Sequence, residues 1–214
     1  MHLSGYIPIM RATRVKWAAG VIVLFLTTAA CRGDSTPSVH GNRVLVVGDS
    51  IMADSRFEVT NALVQDGWNV TVEAVATTAI LYWVPRVSLL LPTINPDVVT
   101  VELGTNESGE VPTVGAHIDA LMERLRDVPV VFWLNIREEP PYPPGASSVN
   151  LAIEQAAVRW PNMRVVDFDK FFAGHPDWLQ PDGIHPNAQG AIALANLIRS
   201  TLATVRREPE RGPF

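Results

Sequence analysis

RVLVVGDS, residues 43–50, places an unbroken apolar run, Val44 to Val47, directly before a Gly-Asp-Ser corner. A half-buried strand alternates apolar and polar residues. A run without alternation suits a strand covered on both faces, as in a parallel sheet. Aspartate and serine both favour the first position of a helix. The stretch reads as a buried strand that turns straight into a helix, and Phe57–Asp66 continues with helical spacing until Gly67.

Working outward, the same rhythm repeats. Trp68–Val75 (WNVTVEAV) alternates like a strand, and Val84–Thr93 is helical before Asn95-Pro96 breaks it. Asp97–Leu103 (DVVTVEL) is a third strand, and Val114–Arg126 puts Ile118, Leu121, Met122 and Leu125 on one side of a helix. Pro129–Asn135 (PVVFWLN) is a fourth strand, Asn150–Trp160 a helix, Met163–Phe168 (MRVVDF) a fifth strand, and Asn187–Val205 a closing helix. Five short apolar strands alternating with helices predict an α/β domain with a parallel sheet covered on both faces. Arg137–Ser148 (REEPPYPPGASS) carries four prolines in twelve residues and breaks the rhythm. It leaves the C-terminal end of the fourth strand, where open sheets bind ligands, and reads either as a stiff surface loop or as one wall of a cleft.

The N-terminal region has another logic. Arg11, Arg14 and Lys16 precede a 14-residue apolar run, Trp17–Ala30, that ends in small residues. That is the pattern of a secretory signal peptide over residues 1–30, and the run is short for a membrane span. Cys31, the only cysteine, sits at the expected cut and excludes an internal disulfide. The segment resembles a bacterial lipoprotein signal with Cys31 as the lipidated residue, departing from it at Thr28. Ordinary cleavage after Ala30 is the alternative. Residues 31–42 are expected to form a tether, 43–205 the domain, and 206–214 a tail. With hydrophobic residues at 47% and charged residues at 18%, the composition excludes a disordered chain. The net charge is −5, and losing the three basic residues before Trp17 leaves −8, so nucleic acid is not an expected partner.

Phosphate-loop, dinucleotide, zinc-protease and GxSxG signatures are all missing. Three short segments remain, each at a predicted strand end or helix entry. Gly48-Asp49-Ser50 follows the first strand; a helix cap is its plainer reading. Gly104-Thr105-Asn106-Glu107 follows the third strand; a turn is its plainer reading. Asp182-Gly183-Ile184-His185 precedes the last helix. There a carboxylate three residues from an imidazole can fix its tautomer and leave the other ring nitrogen as a base. His175 and Asp177 are a competing pair nearby.

Jointly and in this order, these segments resemble the SGNH, or GDSL, hydrolase family. Its GDS block matches Gly48-Asp49-Ser50, its GxN block Gly104-Thr105-Asn106, and its DxxH block Asp182 and His185. The resemblance spans about Arg43 to Val205. It implies a three-layer αβα sandwich with a flavodoxin-like five-stranded parallel sheet. It also implies a serine esterase with Ser50 as nucleophile and His185 as base oriented by Asp182. The implied oxyanion donors are the N–H groups of Ser50 and Thr77 and the amide of Asn106, with Gly48, Asp49 and Gly104 in support. No metal or organic cofactor is called for, since serine supplies the nucleophile. The sequence departs from the family at the second block, where Val75-Ala76-Thr77-Thr78 lacks the usual glycine; Thr77 is expected in its place.

The expected reaction is hydrolysis of small acyl esters outside the cytoplasm, such as O-acetyl groups on cell-envelope carbohydrate. The membrane is reached only through a lipid on Cys31. Trp83, Trp133 and Trp178 are candidate sugar-stacking residues, though their positions also suit a core. An O-acyltransferase using the same serine is the nearest alternative. A non-catalytic binding module, supported only by the missing glycine, is a further one.

Overall fold

A computed structural model describes residues 38–139 and 145–207. Five strands form the main sheet: β1 (Arg43–Gly48), β2 (Asn69–Ala74), β3 (Val98–Glu102), β4 (Val130–Leu134) and β5 (Met163–Val166). All pair in parallel, in the spatial order β2-β1-β3-β4-β5. This is the flavodoxin-like order of doubly wound folds. Its topological switch point lies at the carboxyl ends of β1 and β3.

Helices α1 (Ser50–Gln65), α2 (Ile80–Ile94), α3 (Val111–Arg124), α4 (Ala146–Arg159), α5 (Phe168–Phe172) and α6 (Ala188–Leu202) complete the layers. Because side chains alternate across a strand, β1 feeds two cores. Val44 and Val46 pack with Ile51, Val59 and Leu63 of α1 and Leu194 and Ile198 of α6. Leu45 and Val47 pack with Trp83 of α2, Ile118 and Leu121 of α3 and Ile153 of α4. Truncating Leu45 to alanine is expected to remove about 2–5 kcal/mol of stability. The predicted αβα sandwich is therefore the observed fold.

Boundaries differ where local signals mislead. α1 starts at Ser50, as the strand-to-helix corner implies, but α2 starts at Ile80 rather than Val84, running on with Pro85 and Pro92 on its exposed side. The expected fifth strand ends early, at Val166, and Phe168 opens α5, whose Phe168 and Phe172 are buried. The expected tether yields residues to the fold. Ser38–Val39 pairs in parallel with Arg206–Arg207, which belong to the expected tail, and Val39 is buried among core residues. Burial of an apolar side chain overrides the polar composition around it. The signal segment, Cys31 and Pro140–Pro144 lie outside the described residues.

Candidate active site

Three chain segments meet at the switch point. The first is the corner after β1. A Cβ at Gly48 would collide with the Cβ of Met52, so the strand can enter its helix this tightly only with glycine. Asp49 caps α1: its Oδ1 accepts from the Ile51 N–H at 3.0 Å, and its own N–H donates to the carbonyl of Glu102 at 3.3 Å. Ser50 is the first helical residue, where backbone N–H groups lack intrahelical partners and the helix dipole is positive.

The second segment follows β3. Gly104 has φ +143°, and a Cβ there would stand 2.9 Å from Cγ2 of Ile136. That turn brings Asn106 back over β1. Its Nδ2 donates to Asp49 Oδ2 at 3.0 Å and to the Thr78 carbonyl at 3.2 Å.

The third segment is the loop before α6. Asp182 Oδ1 accepts the N–H groups of Ile184 and His185 at 2.9 and 3.0 Å, and Oδ2 lies 2.7 Å from His185 Nδ1. These bonds, the Ile184 N–H foremost, hold the Asp182 carboxyl down at about 2 although it is exposed. An ionised carboxylate only accepts, so Nδ1 carries a ring proton, and in the neutral imidazole the lone pair is left on Nε2. That Nε2 stands 2.9 Å from Ser50 Oγ. Sequence places these residues 135 positions apart; the fold brings them into hydrogen-bond contact. The loop is braced: Gln180 Nε2 donates to Asp54 Oδ2 and to the Pro186 carbonyl, each at 3.1 Å, and Asn187 caps α6. The competing His175 has its Nδ1 3.8 Å from Asp177 Oδ1 and stacks on Trp178 at 3.7 Å.

Thr77 fills the second-block position with φ +62°. Left-handed backbone is where glycine is at ease and a β-branched residue costs roughly 1–2 kcal/mol. The conformation a glycine would supply is thus present, held by threonine. Next to it, the Thr78 hydroxyl donates to the Val75 carbonyl at 2.7 Å and accepts from Trp83 Nε1 at 3.0 Å.

Three participants were given no role by the sequence. Glu107 is buried; its Oε1 accepts from the Ile80 N–H at 2.7 Å and its Oε2 lies 2.8 Å from His117 Nδ1. It caps α2, whose own cap residue Ala79 has no side chain to do so, and ties the Thr77 loop to the Asn106 loop. Arg137, also buried, donates from Nη1 to the Gly183 carbonyl at 2.9 Å. Glu102 ends β3 fully buried, its Oε2 accepting from the Met52 N–H at 3.2 Å. It hydrogen-bonds the Asp49 carboxyl. Burial, then the neighbouring Asp49 charge, pushes Glu102 well above the usual range, and burial raises Asp49 to about 6. The signal for Glu102 was a carboxyl inside an otherwise apolar strand. Trp83 and Trp133 are fully buried, which corrects their candidacy as sugar platforms: each is core, with its ring N–H bonded inward. Among the described residues no cluster of three or more His, Cys, Asp or Glu is arranged to hold a metal ion, and no helix is long and apolar enough to cross a membrane.

A hydroxyl, an imidazole and a carboxylate in series, set at a helix N-terminus beside a GxN loop, form an arrangement with the chemistry that serine acyl transfer needs. The chain belongs to the GDSL-like lipase/acylhydrolase family, whose model matches residues 46–192. It is 32% identical over 106 residues to the O-acetyltransferase OatA of Staphylococcus aureus, covering 50% of this chain. A putative O-acetyltransferase of the same species is 30% identical over 106 residues. The chain spans only 16% of the length of these curated relatives. In fold it is similar to TesA, at TM-score 0.63 and 23% identity, covering 74% of this chain and 97% of that one. It is also similar to the C-terminal catalytic domain of Streptococcus pneumoniae peptidoglycan O-acetyltransferase A, at TM-score 0.63 and 16% identity, covering 80% and 100%.

Proposed function

We propose that this protein is an extracytoplasmic serine esterase that removes small acyl groups through an acyl-serine intermediate. The observation that carries this reading is the unbroken series Ser50 Oγ, His185 Nε2 and Nδ1, Asp182 Oδ2, at 2.9 and 2.7 Å. His185 takes the Ser50 proton as Oγ attacks the ester carbonyl. The same proton passes to the departing alcohol as the C–O bond breaks. Water then attacks the acyl-serine, gives its proton to His185, and releases the acid with Ser50 restored. A positioned general base contributes about 10²–10⁴-fold.

Charge on the carbonyl oxygen is met by the N–H groups of Ser50 and Thr77 and by Asn106. Both Asn106 amide hydrogens are engaged at rest, so it answers the oxyanion by releasing the longer bond, to the Thr78 carbonyl at 3.2 Å. Losing one such donor typically costs about 10²–10³ in turnover.

The substrate class we propose is O-acetylated carbohydrate of the cell envelope. The likeness to O-acetyltransferases supports it. So does the basic-then-apolar segment, residues 11–30, read as an export signal. We further propose a lipid on Cys31, tested by fatty-acid labelling of wild type and Cys31→Ala. The same likeness favours a second reading, transfer of the acyl group to a sugar hydroxyl instead of water. A p-nitrophenyl ester panel from acetate to palmitate, with and without an acceptor glycan, tests both. Acetate release independent of acceptor supports the esterase. Acetylated glycan supports the transferase. No turnover of any ester by folded protein refutes both.

A further inference from the structure

We propose that Glu102 is a positioning residue that fixes the orientation of the Asn106 amide through Asp49. The inference rests on the reading of Asn106 as an oxyanion donor.

Glu102 closes β3, at the centre of the sheet and directly beneath the nucleophile corner. A buried carboxyl is costly unless each oxygen has a partner. One partner is the Met52 N–H, at 3.2 Å from Oε2. The other is the Asp49 carboxyl, itself fully buried. Capping does not account for this contact, since Asp49 alone already caps α1 through the Ile51 N–H. The contact continues instead along a line: Glu102 to Asp49, Asp49 Oδ2 to Asn106 Nδ2 at 3.0 Å, and Asn106 Nδ2 to the Thr78 carbonyl at 3.2 Å.

Two carboxyls in contact hold one proton between them. With that proton on Glu102, Asp49 is an acceptor only. An acceptor-only Asp49 dictates which end of the Asn106 amide faces it. The NH₂ group must turn toward Asp49 and Thr78, where it is also in place to serve the oxyanion. If Asp49 carried the proton, it would become a donor facing the amide N–H, and only the longer bond to the Thr78 carbonyl, at 3.2 Å, would still oppose a flip. Glu102 thus keeps the oxyanion donor the right way round without touching substrate. The groups that face Asp49 are Glu102 from β3, Asn106 from the following loop and, electrostatically, His185 from the loop before α6.

The test uses Glu102→Gln and Glu102→Leu in the full chain. Gln keeps an N–H donor toward Asp49 and an oxygen for the Met52 N–H; Leu keeps volume and neither bond. Two readouts are taken. One is kcat and KM on p-nitrophenyl acetate. The other is the Asn106 side-chain amide resonance in asparagine-¹⁵N-labelled protein, assigned by its loss in Asn106→Ser. Glu102→Gln is expected within threefold of wild type with the resonance in place. Glu102→Leu is expected to lose kcat toward the about 10²–10³ of a missing oxyanion donor, with KM within twofold and the resonance displaced. A folded Glu102→Leu with near-wild-type kcat and an unmoved resonance overturns the proposal. Should the leucine variant not fold, Glu102→Gln still decides: a loss beyond tenfold, or a displaced resonance, overturns it. Failure of the esterase reading looks different, because wild type then shows no turnover while the resonance still reports the Glu102–Asn106 coupling.

Discussion

Nη1 of Arg137 donates to the carbonyl oxygen of Gly183 at 2.9 Å, so the loop that leaves β4 grips the loop that carries Asp182 and His185. The same guanidinium reaches Glu139 Oε2 through Nη2, also at 2.9 Å. Hydrogen bonds from a charged donor contribute about 1.5–3 kcal/mol each, and a buried one leaves an unpaired acceptor when removed. Arg137→Met is expected to lower stability by about 2–3 kcal/mol in urea unfolding. It is also expected to lower kcat more than it raises KM, because the base loop loses its support while the nucleophile corner stays. An unchanged kcat in folded Arg137→Met would show that the loop holds its geometry without this bond.

Asp182 is held down at about 2, so it stays ionised well below neutral pH. Loss of activity in mild acid therefore belongs to another group, and near neutral pH mutation is the way to remove this charge. Asp182→Asn keeps an acceptor for the Ile184 N–H but offers the imidazole the wrong partner. The equivalent change in a serine protease costs about 10⁴ in kcat, and a drop of at least about 10² is expected here. His175→Ala, at a residue stacked on Trp178, is expected to leave kcat within twofold, since His185 and not His175 bonds Ser50. Steady-state kinetics on the two variants decides between the pairs, and the reverse ranking would move the base to His175.

Thr77 predicts a gain rather than a loss. Glycine relieves roughly 1–2 kcal/mol of left-handed strain and gives back roughly 0.4–1 kcal/mol in freedom of the unfolded chain. Thr77→Gly is expected to raise stability by about 0.5–1 kcal/mol with activity within threefold of wild type, measured by urea unfolding and ester turnover. A destabilised Thr77→Gly contradicts the assignment of strain to this residue.

How much of this could be read from sequence depends on the range of the interaction. The strands were legible because Val44–Val47 and Val130–Leu134 are apolar without alternation and Val98–Val101 is interrupted only by Thr100, which two covered faces explain. Ser50, Asn106, Asp182 and His185 were legible because each sits in a short local block. Val39 was not, since core residues from distant segments decide its burial against a Gly-, Ser- and Pro-containing surround. Arg137 meets Gly183 across 46 residues, and Glu107 meets Ile80 across 27, so neither pairing has a local signature. The helix at Phe168–Phe172 is a single short turn set by burial of its aromatic rings, too brief for periodicity to register.

The Glu102–Asp49 pair predicts a pH dependence of stability. Folding raises Glu102 above its ordinary 4.5 by burial, so the folded state keeps a proton that the unfolded chain has released. The associated stability is complete below about pH 4.5 and falls as pH rises toward the raised folded value. Glutamine has no proton to lose. Urea unfolding of Glu102→Gln and wild type is expected to show a difference in favour of the variant that widens above pH 4.5 by up to about 1.4 kcal/mol per pH unit. A difference that stays constant from pH 5 to about 7.5 contradicts a shared, buried proton.

The central claim is that Ser50 is a nucleophile activated by His185, and covalent capture tests it most directly. Intact-mass analysis and peptide mapping after exposure to a fluorophosphonate are expected to give one adduct, on Ser50. It should be absent in Ser50→Ala and strongly slowed in His185→Ala, because Nε2 at 2.9 Å no longer takes the hydroxyl proton. No adduct on folded wild-type protein, or an adduct on another residue that survives Ser50→Ala, would contradict the account.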